Sequence, residues 1–142
     1  MHKLKQKATF ETTFGLYVVD ELIGEGGAGR VYCGESPDHT KFALKVLADD
    51  RASTDKRRRF KNEIAFLSRN THANIVVVLD HRVSRGQEIN GSFYVMRRYD
   101  ENLRDVIRVS LSPEQVLPLF SQILDGIEAG TPVRGSSPRP QA

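Results

Sequence analysis

Gly24-Glu25-Gly26-Gly27-Ala28-Gly29, followed at once by Arg30-Val31-Tyr32-Cys33, is the stretch on which the reading of this chain turns. A backbone without Cβ atoms can approach anionic oxygens closely and offer them its N–H groups. The flanks are β-type. Leu16-Tyr17-Val18-Val19-Asp20-Glu21-Leu22-Ile23 is rich in β-branched and aromatic residues and runs into the glycines as a strand runs into a turn, and Arg30 to Cys33 reads as the strand that returns. G-x-G-x-x-G alone fits three arrangements. A dinucleotide fingerprint requires a helix to begin at the glycines, whereas a β-type run follows here. A Walker loop has the separation of Gly24 and Gly29, but Arg30 and Val31 stand where Lys and Ser/Thr belong. The third arrangement, a hairpin laid over phosphate groups, keeps both strands.

Working outward, Lys41-Phe42-Ala43-Leu44-Lys45-Val46-Leu47 reads as a third strand, so the chain begins an antiparallel meander. Its lysine lies 21 residues beyond Gly24, a spacing that lets the meander return it beneath the glycines. From Ser53 to Asn70 the period changes to that of a helix, with Phe60, Ile64 and Leu67 on one face and Ser53 or Thr54 as cap. A half-buried lysine needs an anion to hold its ammonium. Glu63 lies beside the apolar face of that helix and is the best candidate, although a helix glutamate taken alone is usually solvated. Ile75 to Leu79 and Phe93 to Met96 are further strands, separated by the turn-rich stretch Ser84 to Ser92. The order is β-β-β-α-β-β.

Beyond Asn102 a short helical stretch runs to about Arg108. Ser112 can then cap a stronger helix, with Pro113 at its first position and Gln115 completing a capping box. Val116, Leu119, Phe120, Ile123 and Ile127 form its apolar stripe, widened by Leu117 and Leu124, which calls for burial on several sides. Pro118 should kink this helix or delay its start. Residues 130–142 hold three prolines and two glycines without apolar periodicity and read as disordered.

The whole chain has 142 residues, room for one domain, and its 21 basic against 18 acidic residues give a net charge of +3, too small to argue for nucleic acid. One cysteine, Cys33, forms no internal disulfide, and no Cys/His cluster has metal-ligand spacing. The basic start Met1 to Lys7 is followed by no apolar signal region, and no run of about 18 apolar residues appears. A cytoplasmic location, without a membrane segment, is the expectation.

The glycine loop with Val31 two residues past its last glycine, the apolar-Ala-apolar-Lys strand at Phe42 to Lys45, Glu63 on the next helix, His72-Ala73-Asn74-Ile75-Val76 and Phe93-Tyr94-Val95-Met96 together resemble the N-lobe of a eukaryotic-like Ser/Thr protein kinase. The paired glycines Gly26-Gly27 are similar to those of bacterial members. The resemblance implies an α+β fold, a five-stranded antiparallel sheet with one helix, followed by one or two helices of an incomplete C-lobe. Residues 1–15 are then an N-terminal extension, 16–99 the ATP-binding lobe, 100–129 the hinge exit and first C-lobe helices, and 130–142 the disordered tail.

The resemblance further implies that Ile23, Gly24, Glu25, Gly26, Gly27, Ala28 and Gly29 cover ATP, and that Val31 and Ala43 roof its adenine. Lys45 would meet the α and β phosphates while paired with Glu63. Met96 becomes the gatekeeper, Arg97 and Tyr99 the hinge residues at the adenine edge, and Leu67 and Val78 members of the spine between lobes. The family reaction is transfer of the ATP γ-phosphate to Ser/Thr of a protein substrate.

Two departures stand out. Ala28 occupies the loop tip where an aromatic residue is common. More consequentially, H-R-D-x-K-x-x-N, D-F-G and A-P-E are not found, so the catalytic Asp and the Mg²⁺ ligands have no counterpart here. The expectation is an ATP-binding portion that is inactive alone, as if cut before the catalytic loop, with a non-catalytic nucleotide- or partner-binding module as the alternative. Self-association through an exposed helix 113–128 is expected as well. Lys56-Arg57-Arg58-Arg59 reads as a solvated helix face or as a receiver for a phosphorylated segment or acidic partner. His72 reads as a structural hydrogen bonder and Cys33 as a small apolar packer.

Overall fold

In a computed structural model of the chain, residues 2–99 and 112–130 are described. The elements are β1 (His2–Glu11), β2 (Leu16–Gly26), β3 (Gly29–Glu35), β4 (Lys41–Ala48), a 3₁₀ turn (Asp49–Arg51), α1 (Thr54–Arg69), β5 (Val78–Ser84), β6 (Gly91–Arg97) and α2 (Pro113–Gly130). All strands join one antiparallel sheet in the order β1-β2-β3-β4-β6-β5. The α+β class stands, with six strands among the described residues rather than five.

The additional strand is the polar lead-in. In β1 the lysines occupy the exposed positions and hide a period-two pattern in which Leu4 packs against the core while Ala8 and Phe10 are buried in it. Pairing with β2 runs from His2 opposite Leu22 to Glu11 opposite Leu16, with an irregularity between Lys3 and Ala8. Such a lysine-rich edge also discourages pairing with other chains.

The sheet curls until its two edges approach each other. Thr12, just past β1, donates from Oγ1 to Asp80 Oδ2 of β5 at 2.6 Å, and the Tyr17 hydroxyl donates to the same oxygen at 3.2 Å. The His81 N–H satisfies Asp80 Oδ1 at 2.8 Å, so the buried carboxylate has partners on both oxygens. Inside the curl, Phe10, Val19, Tyr32, Phe42, Leu44, Val46, Phe93 and Val95 form the main core, with the rings of Phe10 and Phe93 5.0 Å apart. This fifth strand in chain order begins at Val78 and runs to Ser84, later than the apolar run Ile75 to Leu79 suggests, because the polar Asp80 is one of its buried residues.

A second, smaller cluster lies on the opposite face, where Leu47, Phe60 and Tyr94 are buried and Ile64, Leu67, Val78 and Met96 pack around them. Here α1 covers the sheet. Its start is capped by Ser53, whose Oγ accepts from the Lys56 N–H at 3.2 Å.

The capping box of α2 forms, with Gln115 Oε1 accepting from the Ser112 N–H at 3.1 Å. The helix runs through Pro118 without a delayed start. Asn74 Nδ2 donates to the Gln122 carbonyl at 2.7 Å, and a Cβ on Gly126 would come within 3.0 Å of the Asn74 carbonyl oxygen. The turn after α1 therefore docks closely on α2, while Val116, Phe120 and Leu124 are exposed. The expected helix at 102–108 and tail at 131–142 lie outside the described residues.

Candidate nucleotide site

Strand pairing between β2 and β3 continues to Gly26 opposite Gly29, leaving Gly27 and Ala28 as a two-residue turn. Two kinds of glycine meet here. Gly29 has φ of 128°, and a Cβ on it would sit 2.6 Å from the Val46 carbonyl oxygen, so the hairpin can lie down on β4 only with glycine at that position. At Gly26 and Gly27 a Cβ would meet nothing within 4 Å. The space beside them is open, so packing does not require glycine at either position. A Cβ on Gly24 would make only ordinary contact with Val31, at 3.6 Å.

Glu25 fastens the hairpin sideways. Its Oε1 accepts from Arg30 Nε at 3.0 Å and Arg51 Nη1 at 2.9 Å, tying β2 to β3 and to the 3₁₀ turn. Arg30 first, and then Arg51, hold its carboxyl below the usual carboxylate range. Ile23 lies at the register shift between Leu22 and Gly24 and is half-buried.

In β4, Lys45 is opposite Val31 on one side and Tyr94 on the other. Cross-strand neighbours project to the same face, so this register collects Val31, Lys45 and Tyr94 beneath α1. Lys45 Nζ is 2.8 Å from Glu63 Oε1, with 16% of the lysine side chain and 32% of the glutamate side chain exposed. The Tyr94 hydroxyl donates to that same oxygen at 2.5 Å, and the Phe60 ring centroid is 6.0 Å from the ammonium. Burial, then the Glu63 carboxylate, push the Tyr94 phenol well above its ordinary value. Tyr94 thus remains a donor, and the carboxylate is oriented by two partners on separate strands.

Ala43 is opposite Cys33 and Met96 and continues the same face. Met96 packs with Leu67 and Val78 against the second cluster. Arg97 ends β6 exposed, and Tyr99 is exposed two residues later. Cys33 is buried, and desolvation raises its thiol pKa. His72 Nδ1 accepts from the Asn74 N–H at 3.0 Å, a bond that shapes the turn onto α2.

Three side chains escaped the reading of the sequence as members of this neighbourhood. Tyr94 was legible in principle, since it stands two residues before Met96 and alternation puts both on one face. The contribution of Lys56 and Arg59 was not, because their distance from the glycine turn depends on how α1 packs. A space of about 240 Å³ between the turn and the 3₁₀ segment is lined by Gly26, Gly27, Arg51 and Lys56 among others. A second, of about 220 Å³ between the turn and α1, is lined by Gly27, Ala28, Lys56, Arg59, Phe60 and Glu63. Among the described residues no group of three or more His, Cys, Asp or Glu could hold a metal ion.

The profile of the protein kinase domain matches residues 17–129. Among characterised proteins, the chain is similar to the serine/threonine-protein kinase pkn2 of Myxococcus xanthus, with 34% identity over 119 residues, covering 81% of this chain and 14% of that protein. It is also similar to the leaf rust 10 disease-resistance locus receptor-like protein kinase-like 2.3 of Arabidopsis thaliana, 42% identical over 59 residues that cover 42% of this chain and 9% of the relative. The receptor-like kinase TMK2 of the same plant is 44% identical over 64 residues, 44% of this chain and 7% of its own length. The chain thus spans a small part of these relatives, at most 14% of the three. Among the described residues no helix is long and apolar enough to cross a membrane.

Proposed function

The chain belongs to the protein kinase domain family, in its eukaryotic-like Ser/Thr type, and from that premise we propose that residues 16–99 bind ATP as the nucleotide lobe of such a kinase. The observation that carries the reading is the Lys45–Glu63 ion pair, held by Tyr94 beneath a glycine turn whose backbone is open at Gly26 and Gly27. These residues fit a nucleotide. Gly24, Gly26 and Gly29 shape the cover over its phosphates, with Ile23, Glu25, Gly27 and Ala28 completing that edge. Lys45 meets the inner phosphates, Val31 and Ala43 lie against the adenine, and Met96, Arg97 and Tyr99 line the route toward its polar edge.

Family members use ATP with Mg²⁺ and protein substrates. When bound, the metal neutralises and orients the phosphates. The residues here supply the fixed ammonium, its carboxylate partner and the backbone cradle. The hydroxyl-orienting Asp and the metal-binding Asn and Asp of H-R-D and D-F-G are not in this sequence. We therefore propose that this chain binds ATP without transferring its γ-phosphate to Ser/Thr of a protein. A lone buried thiol suits a reducing compartment, and we place the lobe in the cytoplasm on that ground.

Titration calorimetry of the chain with ATP, alongside Lys45→Met, tests the binding. The expected result is millimolar to high-micromolar affinity, because only one wall of a cleft is offered, with loss of about tenfold in the variant. Equal affinity in both proteins would overturn the reading. Labelled ATP with Mg²⁺ and a generic protein substrate tests the second part, where incorporation above the Lys45→Met background is the result that sinks it. The motif content also supports a second reading, a non-catalytic kinase-like binding module, which nucleotide stabilisation surviving full removal of Mg²⁺ would favour.

A further inference from the structure

We infer that Lys56 and Arg59 extend the nucleotide site and take the outermost phosphate of a nucleoside triphosphate, an inference that rests on the ATP reading above. The space of about 220 Å³ between the glycine turn and α1 has Gly27 and Ala28 on one side and Lys56, Arg59, Phe60 and Glu63 on the other. Lys56, Arg59 and Glu63 recur at intervals of three and four residues and so share one helix face. Lys45 is bonded to Glu63 on that same wall. An ATP with its base against Val31 and Ala43 and its inner phosphates at Lys45 has its last phosphate directed between the turn and this face.

Charge gives a second argument. Lys45 and Glu63 cancel each other, so the pair alone offers a polyanion no net attraction. The basic run on α1 divides into two sets. Arg58 pairs with Asp55 at 3.0 Å and Arg57 approaches Asp49 at 3.8 Å. Arg59 has no hydrogen bond or ion pair among the described residues, and Lys56, which is half-buried, makes only a 3.5 Å contact with the Arg51 carbonyl. Within that run the two cations without a carboxylate partner are the two that line the space, and Lys56 lies in the first turn of a helix whose dipole disfavours positive charge there. An anion between them gives both cations a partner, and their long side chains can close on it from the open side.

The experiment is titration calorimetry of the 142-residue chain, with Mg²⁺ present throughout, using ATP, ADP and inorganic tripolyphosphate at low and moderate salt. The proteins compared are wild type, the double variant Lys56→Gln/Arg59→Gln and Lys45→Met, each checked by circular dichroism melting. The double variant is expected to weaken ATP about tenfold and ADP less than about threefold, with a shallower salt dependence for ATP. Unchanged ATP affinity in the double variant, while Lys45→Met loses both nucleotides, overturns the inference and leaves the ATP reading standing. Equal weakening of ATP and ADP overturns it too, since the pair would then act as a general field. Tripolyphosphate binding that depends on Lys56 and Arg59, with no nucleotide binding, supports the anion site and removes the ATP reading. Failure of all three ligands with wild type removes both.

Discussion

The two faces of one sheet carry separate clusters of different size and character. On the concave face the strands close over their own side chains, and Phe10, Val19, Leu44, Phe93 and Val95 are completely buried. On the other face, three buried residues and a helix cover only part of the surface, and an ion pair with a phenol stands where further apolar packing would otherwise go. The same strands build both. In β4, Phe42, Leu44 and Val46 point into the curl, while Ala43, Lys45 and Leu47 point to the helix side. In β6, Phe93 and Val95 alternate in the same way with Tyr94 and Met96. Such a division lets one face supply stability so that the other can keep an accessible, partly polar surface.

The harshest way to test that division is to cut the closed face. Phe93→Ala should cost about 3–5 kcal/mol in urea denaturation, and Phe10→Ala should cost nearly as much if β1 is an integral strand. A cost below about 1 kcal/mol for Phe10→Ala would make β1 an appendage and undo the picture of a curl closed from both edges.

Within the glycine turn the comparison recurs at single-residue scale. Gly29→Ala should lose about 2–3 kcal/mol through its backbone conformation and its clash with the Val46 carbonyl. By contrast, Gly27→Ala should stay within about 0.5 kcal/mol of wild type, and its effect should appear in nucleotide titration instead. Equal stabilities for the two variants would remove the distinction between a packing glycine and a cradle glycine.

On the open face, Glu63→Gln keeps the shape but removes the charge that holds Lys45. An expected loss of about 1–2 kcal/mol, measured by denaturation, is accompanied by weaker ATP binding. No stability change would mean that solvent already screens the pair.

The smallest effect concerns Tyr94. Its proton is favoured in the folded state by burial and by the Glu63 carboxylate. The resulting stability is fully present below the phenol's ordinary value near 10 and is withdrawn as pH climbs beyond it, because only the unfolded chain readily releases that proton. Alkaline absorbance titration should find fewer than the four phenols ionising before unfolding begins, and Tyr94→Phe should flatten the alkaline fall in stability.

Much of the lobe was legible along the chain because its signals are local. Alternating side chains around the glycines define a hairpin, and the helical spacing of Phe60, Ile64 and Leu67 sets which side of α1 faces the sheet, so that Glu63 at its margin can reach Lys45. β1 was hidden because a strand exposed on one side can carry lysines at alternate positions, and its composition then resembles a polar extension. β5 was displaced in the reading because Asp80 looks like a turn residue until its partners are known. Those partners, Thr12 and Tyr17, stand 68 and 63 residues away.

Order, period and residue type were therefore enough to determine the family and the α+β class, and to nominate the roster from Gly24 to Met96 that we propose as the nucleotide site, since each depends on contacts between chain neighbours or on strands joined by short turns. Only the tertiary structure decided that the sheet has a sixth strand, that its edges meet through Thr12 and Asp80, that Tyr94 shares the carboxylate of Glu63, and that Lys56 and Arg59 stand over the glycine turn. Each of these follows from the curl of the sheet and the seat of the helix upon it, which are set by the collective burial of side chains distant in sequence and leave no periodic mark on any one segment.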